Sequence, residues 1–234
     1  MKLEICANSY QSAINAQKAG ADRIELCSEL FVGGITPSFG VLKNVSEEIT
    51  IPVNVLIRPR SGDFCYTNDE FLLMKENIKL CKKLKLNGIV SGVLNTDNSI
   101  DIARTKELIE LSKPLTFTFH RAFDCVINPK ESLQQLIDLG INRILTSGLQ
   151  EKAENGIELL KELNLLVENN LILLPGSGIN AMNAKLFKEA GFKEIHTSAS
   201  KIISDEKSIF FSNIPQTVSD IETIKEILKV IKNA

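Results

Sequence analysis

Polar and charged residues alternate with apolar ones in segments that otherwise have the composition of β-strands. Successive side chains of a strand point to opposite faces, so each segment has one apolar and one polar face. If helices cover the apolar faces, the polar faces converge in a common interior and favour a site there. The pattern occurs in Leu3-Glu4-Ile5-Cys6, Arg23-Ile24-Glu25-Leu26-Cys27, Asn54-Val55-Leu56-Ile57-Arg58, Thr118-Phe119-His120 and Ile195-His196-Thr197-Ser198.

Strand-like and helix-like segments alternate along the whole chain. The pattern predicts strands near 2–7, 22–27, 53–58, 88–94, 115–121, 143–147, 171–175 and 193–197. It predicts helices over 10–19, 38–48, 69–84, 101–112, 129–139, 151–168, 181–190 and 217–232. We expect residues 1–234 to form one domain. Residues 217–234 are predicted to form a C-terminal helix that closes a barrel of these β/α units or contacts another subunit.

A weak internal repeat supports a closed barrel. The segments AGADRIELCS, LKLNGIVSGV, LGINRILTSG and AGFKEIHTSA align as a helix end, a turn and a strand. Each copy stands for a pair of β/α units, so four copies predict an α/β fold with a single (β/α)8 TIM-type barrel. An open doubly wound sheet is the alternative, but its strands are buried on both faces and favour continuous apolar runs.

Composition and charge narrow the classes of partner. The 234 residues are 44% hydrophobic and 24% charged, with a net charge of -2. This balance gives no reason to expect nucleic acid or a membrane surface as partner. The five cysteines have no zinc-finger spacing, and the chain begins on a strand-like segment rather than an export signal. We therefore expect a cytoplasmic protein with reduced thiols and no organic cofactor.

Four inward residues are candidates for acid–base catalysis: Glu4, Glu25, His120 and His196. Sites of (β/α)8 enzymes lie at the carboxyl ends of the strands, and histidine is the natural general acid or base near neutral pH. Glu4, Glu25 and His196 are predicted one layer deeper than His120. The alternative is a structural network of ion pairs that fills the barrel.

A second set of residues has the chemistry of an anion site. Arg58 and Arg60 follow the third strand and suit a bidentate clamp on carboxylate or phosphate. Alternatively, Arg60 pairs with Asp63 and only orders its loop. Asp124, after the fifth strand, is predicted to orient His120 or to pair with Arg121.

Loops after the seventh and eighth strands usually form the phosphate site of such barrels. Here they contain Pro175-Gly176-Ser177-Gly178-Ile179-Asn180 and His196-Thr197-Ser198-Ala199-Ser200. Glycine permits close approach of the backbone to a ligand. We therefore include Gly176, Ser177, Gly178 and Ser198 among the anion-binding candidates.

Cys6 and Cys27 are candidate metal ligands. They lie on adjacent predicted strands at matching heights, about 4.8 Å apart for neighbouring strands. Two thiolates with a histidine nearby suit a soft ion such as Cu(I). The alternative is that both cysteines are small buried apolar residues.

Several motifs together resemble one family. In order, RIELCSELFVGGITPSFG, VNVLIRPRSGDFCYTNDEFLLMK, TFTFHRAFD, RILTSG, PGSGI and EIHTSAS resemble the CutC copper-homeostasis proteins, from residue 1 to about 200. The resemblance implies a TIM-type barrel, a cytoplasmic location, self-association into a homo-dimer or larger homo-oligomer, and copper binding at Cys6 and Cys27. Ser61 and Ser177 stand where the family usually has glycine.

Two functions are compatible with these residues. The first is a copper-homeostasis protein that binds Cu(I) through Cys6 and Cys27. The second is an enzyme of the isomerase, lyase or hydrolase type that acts on a small anionic or phosphorylated metabolite. No lysine lies on the inward face of the predicted strands, which argues against Schiff-base chemistry.

Overall fold

Eight parallel strands form one sheet that curves into a barrel in the computed structural model, which describes residues 1–167, 170–204 and 215–232. Each strand pairs with its neighbour in sequence from the first to the seventh, and the eighth pairs with the first. These strands are β1 (Lys2–Ala7), β2 (Arg23–Leu26), β3 (Val53–Leu56), β4 (Gly88–Ser91), β5 (Thr116–Phe119), β6 (Arg143–Thr146), β7 (Ile172–Pro175) and β8 (Glu194–Thr197).

Helices follow the strands and cover the outside of the barrel. They are α1 (Tyr10–Ala19), α2 (Phe39–Glu48), α3 (Asn68–Lys83), α4 (Ile102–Ser112), α5 (Pro129–Asp138), α6 (Ile157–Val167), α7 (Ala184–Glu189) and α8 (Ile221–Lys232). The predicted (β/α)8 TIM-type barrel is therefore confirmed. Predicted helices 151–168 and 181–190 begin later than expected, at Ile157 and Ala184, and residue 168 lies outside the described residues.

The alternation of side chains along each strand separates an apolar layer under the helices from a polar barrel interior. Ile5, Ile24 and Ile195 are fully buried in the apolar layer between the sheet and the helices. Glu25 and His196, one residue along their strands, face the interior instead. This arrangement follows from the two-residue period of a strand, and it brings polar side chains of different strands together.

The seventh and eighth strands approach each other closely at a glycine. Beyond the end of β7, Gly176 forms a single parallel bridge with His196 of β8. A Cβ at position 176 would lie 2.6 Å from a methyl carbon of Leu145 and 3.3 Å from the Cβ of His196. Because glycine has no Cβ, Gly176 avoids these contacts and allows the end of β7 to lie close to His196.

The C-terminal part differs from the prediction of a helix over 217–232. Gln216–Ser219 form a strand, β10, which pairs antiparallel with β9 (Ser200–Ser204). The side-chain amide of Asn8 donates hydrogen bonds to the carbonyl and hydroxyl oxygens of Thr217. Local helical periodicity is therefore overridden by tertiary hydrogen bonds, and α8 begins only at Ile221.

The apolar side of α8 packs against the barrel. Ile224, Ile227, Leu228 and Ile231 are buried, and the helix contacts α1 and α7. These contacts place α8 between the first and seventh helices of the ring. They support the prediction of one domain over residues 1–234, which stays a prediction.

None of the helices in the described ranges combines the length and apolar character needed to cross a bilayer.

Candidate functional site

A cavity of about 880 Å³ opens at the carboxyl ends of the barrel strands. A volume of this size accommodates a small-molecule ligand. Predicted site residues that line it are Cys6, Glu25, Arg58, His120, Asp124, Ser177, Gly178, His196 and Ser198. The other candidates, Glu4, Cys27, Arg60 and Gly176, are not among the residues that line it.

Glu4 lies beneath the cavity and is committed to charged partners. Its carboxylate is 2.5 Å from Arg23 Nε and 2.8 Å from His196 Nδ1. Burial opposes ionisation of Glu4, but Arg23 and His196 outweigh it and lower the pKa of the carboxyl to about 2. These contacts favour a role for Glu4 as a buried counter-ion that positions His196, and its part in acid–base catalysis stays a prediction.

Sequence reasoning missed the rest of this network. Arg23 also pairs with Glu194, which in turn lies 2.9 Å from Arg143 Nε. All three side chains are largely buried. The structural ion-pair network considered as an alternative therefore exists, but at the amino-terminal side of the barrel. The alternation of side chains along a strand could have predicted these residues. Arg23 shares the face of Glu25, and Glu194 shares that of His196.

Glu25 differs from Glu4 because it lacks close partners. It pairs in register with Cys6, so it lies level with that residue rather than one layer deeper as predicted. The side chain is buried, and its Oε2 atom has no hydrogen-bond partner. Burial raises the pKa of Glu25 to about 7. A carboxyl group with this pKa is suited to proton transfer near neutral pH.

The two candidate metal ligands are in contact. The Sγ atoms of Cys6 and Cys27 are 3.7 Å apart, and both cysteines are free and buried. Their predicted equal heights are wrong, because Cys6 pairs in register with Glu25, whereas Cys27 lies two residues beyond Glu25, just after the end of β2. The hydrogen bond with Cys27, together with burial, raises the pKa of Cys6 well above its usual value.

His196 joins the thiol pair to the buried carboxylates. Ligand atoms of Cys6, Glu25 and His196 all lie within 4.8 Å of one another. Burial disfavours the charged imidazole, but contacts with Cys6 and Glu4 and the charge of Glu25 raise the pKa of His196 well above its usual value. We therefore assign His196 a positive charge at neutral pH.

His120, in contrast to His196, has a lowered pKa and is neutral. It is 4% exposed, and burial together with the charge of Arg58 lowers its pKa to about 3. Nδ1 accepts a hydrogen bond from the backbone N–H of Ala122, 3.2 Å away, whereas Nε2 has no partner. Because an imidazole nitrogen that accepts carries no proton, the neutral ring has its proton on Nε2.

We expect the two histidines to differ in charge at pH 7. The pKa of His120 is lowered and that of His196 is raised, so His120 is neutral and His196 protonated. Long-range ¹H–¹⁵N NMR of the imidazole nitrogens measures both states, and His120→Gln should remove only the neutral signal. Observation of the same charge on both rings at pH 7 would contradict this assignment.

Arg58 reaches the cavity, but most of its donors are occupied. Nη1 donates to the carbonyls of Val32 and Gly34, and Nη2 donates to the carbonyl of Gly62. The guanidinium carbon lies 5.0 Å from the centre of the Phe64 ring. Arg58 therefore joins two loops at the cavity wall, and a free bidentate clamp is not what the structure shows.

Arg60 lies outside the cavity lining and has partners of its own. It forms ion pairs with Asp63 at 3.0 Å and Glu70 at 2.5 Å, and it donates to the carbonyl of Cys65. These contacts favour the alternative role of ordering its loop, and the anion clamp at Arg60 stays a prediction. The physical reason is that nearby carboxylates and carbonyls already satisfy its donors.

Asp124 connects the loops after β5 and β6. Its carboxylate pairs with Arg121 and accepts hydrogen bonds from the Thr146 hydroxyl and the backbone N–H groups of Ser147 and Leu149. Of the two predicted roles, pairing with Arg121 is the one that the contacts support. A carboxylate with these partners shapes the cavity wall rather than binding an anion.

The loops after β7 and β8 reach the cavity rim. Ser177 has a φ of 86°. Its hydroxyl donates a hydrogen bond to the carbonyl of Glu151. The hydroxyls of Ser198 and Ser200 are 3.2 Å apart. A Cβ at Gly178 would lie 3.1 Å from the side chain of Lys152, so this glycine lets the lysine stem cross the loop. Anion binding at these residues stays a prediction.

The fold is a (β/α)8 barrel, and its cavity lies at the strand ends, where barrels of this class have their sites. The CutC family model matches residues 1–201. This chain belongs to the CutC family. A CutC family protein of Klebsiella pneumoniae strain 342 is 47% identical over 197 residues, which cover 84% of this chain and 79% of the relative. A CutC family protein of Parabacteroides distasonis is 43% identical over 236 residues, or 98% and 97% of the two chains.

Solved structures agree with this assignment. The copper homeostasis protein CutC of Streptococcus agalactiae is 34% identical and superposes with a TM-score of 0.80, over 85% of this chain and 98% of that one. Phosphoribosylanthranilate isomerase of Thermotoga maritima superposes with a TM-score of 0.60 over the full length of both chains. Its identity of 13% supports the barrel fold alone.

Proposed function

We propose that this protein takes part in copper homeostasis by binding Cu(I) through Cys6 and Cys27. The observation that carries the proposal is the 3.7 Å contact between the two free thiols. Thiolate sulphur is a soft ligand and selects Cu(I) over hard cations. Family membership and the S. agalactiae protein, described as a copper homeostasis protein, support the same function.

The charge of the groups around the two thiols is compatible with bound Cu(I). Two thiolates and one Cu(I) carry a net charge of -1, which a buried position disfavours unless a positive group is near. His196 hydrogen-bonds to Cys6, and this contact favours the thiolate. The protonated imidazole therefore compensates the extra negative charge. Cys6 also lines the cavity, which gives the ion a path to the buried pair.

An anaerobic Cu(I) titration against a competing chelator tests the proposal. We expect one tightly bound Cu(I) per chain in the wild type and its loss in Cys6→Ser/Cys27→Ser. Cys65→Ser/Cys125→Ser is the matched control, because it removes two thiols that lie outside the pair, and it should bind as the wild type does. Equal affinity of both double variants would refute copper binding at this site.

The same titration should depend on pH in one direction. The pKa of Cys6 is raised, so the thiol retains its proton at pH 6–8, and Cu(I) must displace it. Lower proton concentration favours this displacement. The apparent affinity should therefore rise with pH, by roughly tenfold per unit for each proton released. A flat profile between pH 6 and 8 would contradict thiolate ligation.

We also propose a cytoplasmic location and a homo-dimer or larger homo-oligomer, as the family resemblance implies. Reduced cysteines in all five positions are compatible with a reducing compartment. Sedimentation of the purified protein measures the oligomeric state directly.

A further inference from the structure

The pair His120-Arg121, which follows β5, is not part of the proposed copper site, yet both residues line the cavity. His120 is 4% exposed, and its Nε2 atom has no hydrogen-bond partner among the described residues. A buried polar nitrogen without a partner is costly. Its position on a cavity wall therefore indicates a ligand that supplies the missing partner.

The imidazole of His120 offers that ligand a neutral donor. Its Nδ1 atom accepts a hydrogen bond from the backbone N–H of Ala122, 3.2 Å away. Because a ring nitrogen that accepts carries no proton, the proton lies on Nε2. The ring packs against Phe64, with the ring centres 4.8 Å apart, and against Phe119 at 6.1 Å. The donor is thus held in place, and the ligand must present an acceptor oxygen to it.

The contacts of the ring also indicate which of its edges faces the cavity. A Cβ at Gly92 would lie 2.8 Å from Nδ1 and 2.9 Å from Cε1 of His120, so the protein covers that edge closely. His120 nevertheless lines the cavity. We infer that it does so with the opposite edge, which carries Nε2.

Arg121 supplies a positive charge beside this donor. The Cα atoms of consecutive residues are about 3.8 Å apart, so one small compound in the cavity can reach both side chains. Nε of Arg121 pairs with Asp124 at 2.7 Å, and Nη2 donates to the Ser147 hydroxyl at 2.9 Å. Nη1 has no partner in the part of the chain that the structure describes. The side chain is 42% exposed, so a ligand can approach it.

The other charges on the wall favour a ligand with a single negative charge. Arg58 donates from both Nη atoms to backbone carbonyls, and His196 lies 2.8 Å from the carboxylate of Glu4. These two cations are therefore engaged. Glu25 and Asp124 line the same cavity and would repel a dianion such as a phosphate ester. A carboxylate is the anion that one available arginine nitrogen can balance.

We propose that the cavity binds a small α-keto acid, with its carboxylate on Arg121 and its keto oxygen on Nε2 of His120. The carboxylate then lies beside a half-exposed arginine, where burial of its charge costs less, and the uncharged carbonyl meets the buried neutral donor. A keto oxygen only accepts, so it leaves no proton unpaired as a hydroxyl would. Leu30, Leu56 and Leu145 give the wall an apolar part that suits an aliphatic side chain of the acid. The site uses no thiol and is independent of the copper proposal.

Paired probes test the contact with His120 in chelator-treated, copper-free protein. The keto acids are pyruvate and α-ketoisocaproate, and the matched acids without the keto oxygen are propionate and isocaproate. NMR titration measures the Kd of each acid. We expect each keto acid to bind about two- to tenfold more tightly than its match, the range for one neutral hydrogen bond. α-Ketoisocaproate should bind more tightly than pyruvate, because its side chain buries more apolar surface.

Two variants assign each contact to its residue. His120→Phe keeps an aromatic ring without a donor and should abolish the preference for the keto acids. Arg121→Gln should weaken binding of all four acids by at least about tenfold, because hydrogen bonds to charged groups are the stronger ones. Lys130→Gln is the matched control: it removes an exposed cation on α5 that pairs with Glu162 outside the cavity lining, and it should bind as the wild type does.

The wild-type protein provides a second readout in case His120→Phe does not fold. The Nε2–H proton of His120 should shift downfield in ¹H–¹⁵N spectra when a keto acid binds, and the matched acid should not cause this shift. Three outcomes would overturn the proposal. They are the absence of saturable binding for all four acids, equal affinities of keto and matched acids in the wild type, and tighter binding of inorganic phosphate than of either keto acid.

Discussion

Replacement of Arg23 by alanine should lower the free energy of unfolding by about 3–5 kcal/mol, the cost of breaking a buried ion pair. The Arg23 side chain is 8% exposed and lies between the carboxylates of Glu4 and Glu194. Without the guanidinium, both carboxylates lose their shared cation in a place that water scarcely reaches. Chemical denaturation of the two proteins measures the difference.

Arg60→Ala is the matched control for Arg23→Ala. The Arg60 side chain is 35% exposed, and it also pairs with two carboxylates, Asp63 and Glu70. Solvent screens these pairs, so the control should change stability little. Equal effects of the two substitutions would show that burial does not set the strength of the Arg23 network.

Replacement of Asp124 by alanine should lower the free energy of unfolding by about 3 kcal/mol, because several donors lose their acceptor at once. The affected donors include the backbone N–H groups of Ser147 and Leu149 and the hydroxyl of Thr146. Leu149 has a φ of 60°, which leucine rarely adopts, and the bond to Asp124 helps to hold it there. We expect the loop after β6 to rearrange and the cavity to lose part of its wall.

Asp97→Ala provides the comparison for Asp124→Ala. Asp97 also accepts hydrogen bonds from a backbone N–H and a hydroxyl, both of Ser99, but on an exposed turn. Water replaces an exposed acceptor at little cost, so the control should melt close to the wild type. Hydrogen exchange of the Leu149 amide tests the mechanism, and unchanged protection in Asp124→Ala would contradict it.

The arginines show how far pattern reasoning extends to a site. Strand parity placed Arg58 at the barrel interior, and the structure does bring it to the cavity. The sequence carried no information on the carbonyls of Val32, Gly34 and Gly62, which occupy its donors. Those carbonyls come from loops whose path depends on non-local packing. An arginine predicted to bind a ligand is therefore, in this fold, largely satisfied by the protein itself.

The acidic residues show even more clearly the difference between what the sequence pattern predicts and what the tertiary contacts decide. Glu4 and Glu25 share the inward parity and look equivalent in sequence. The structure gives Glu4 two cations and leaves Glu25 Oε2 without a partner, so that their pKa values move in opposite directions, to about 2 and about 7. Only the stagger of neighbouring strands decides which charges meet, and stagger is not encoded in a local pattern.

The sequence by itself determined the barrel, the inward faces of its strands and the family, because side-chain alternation and repeated β/α units are local properties of the chain. Tertiary structure decided the rest: the 3.7 Å thiol contact, the charge of each histidine and the strand over Gln216–Ser219 where helical periodicity predicted a helix. Each of these depends on groups distant in sequence, such as Asn8 and Thr217, that only the closed barrel brings together.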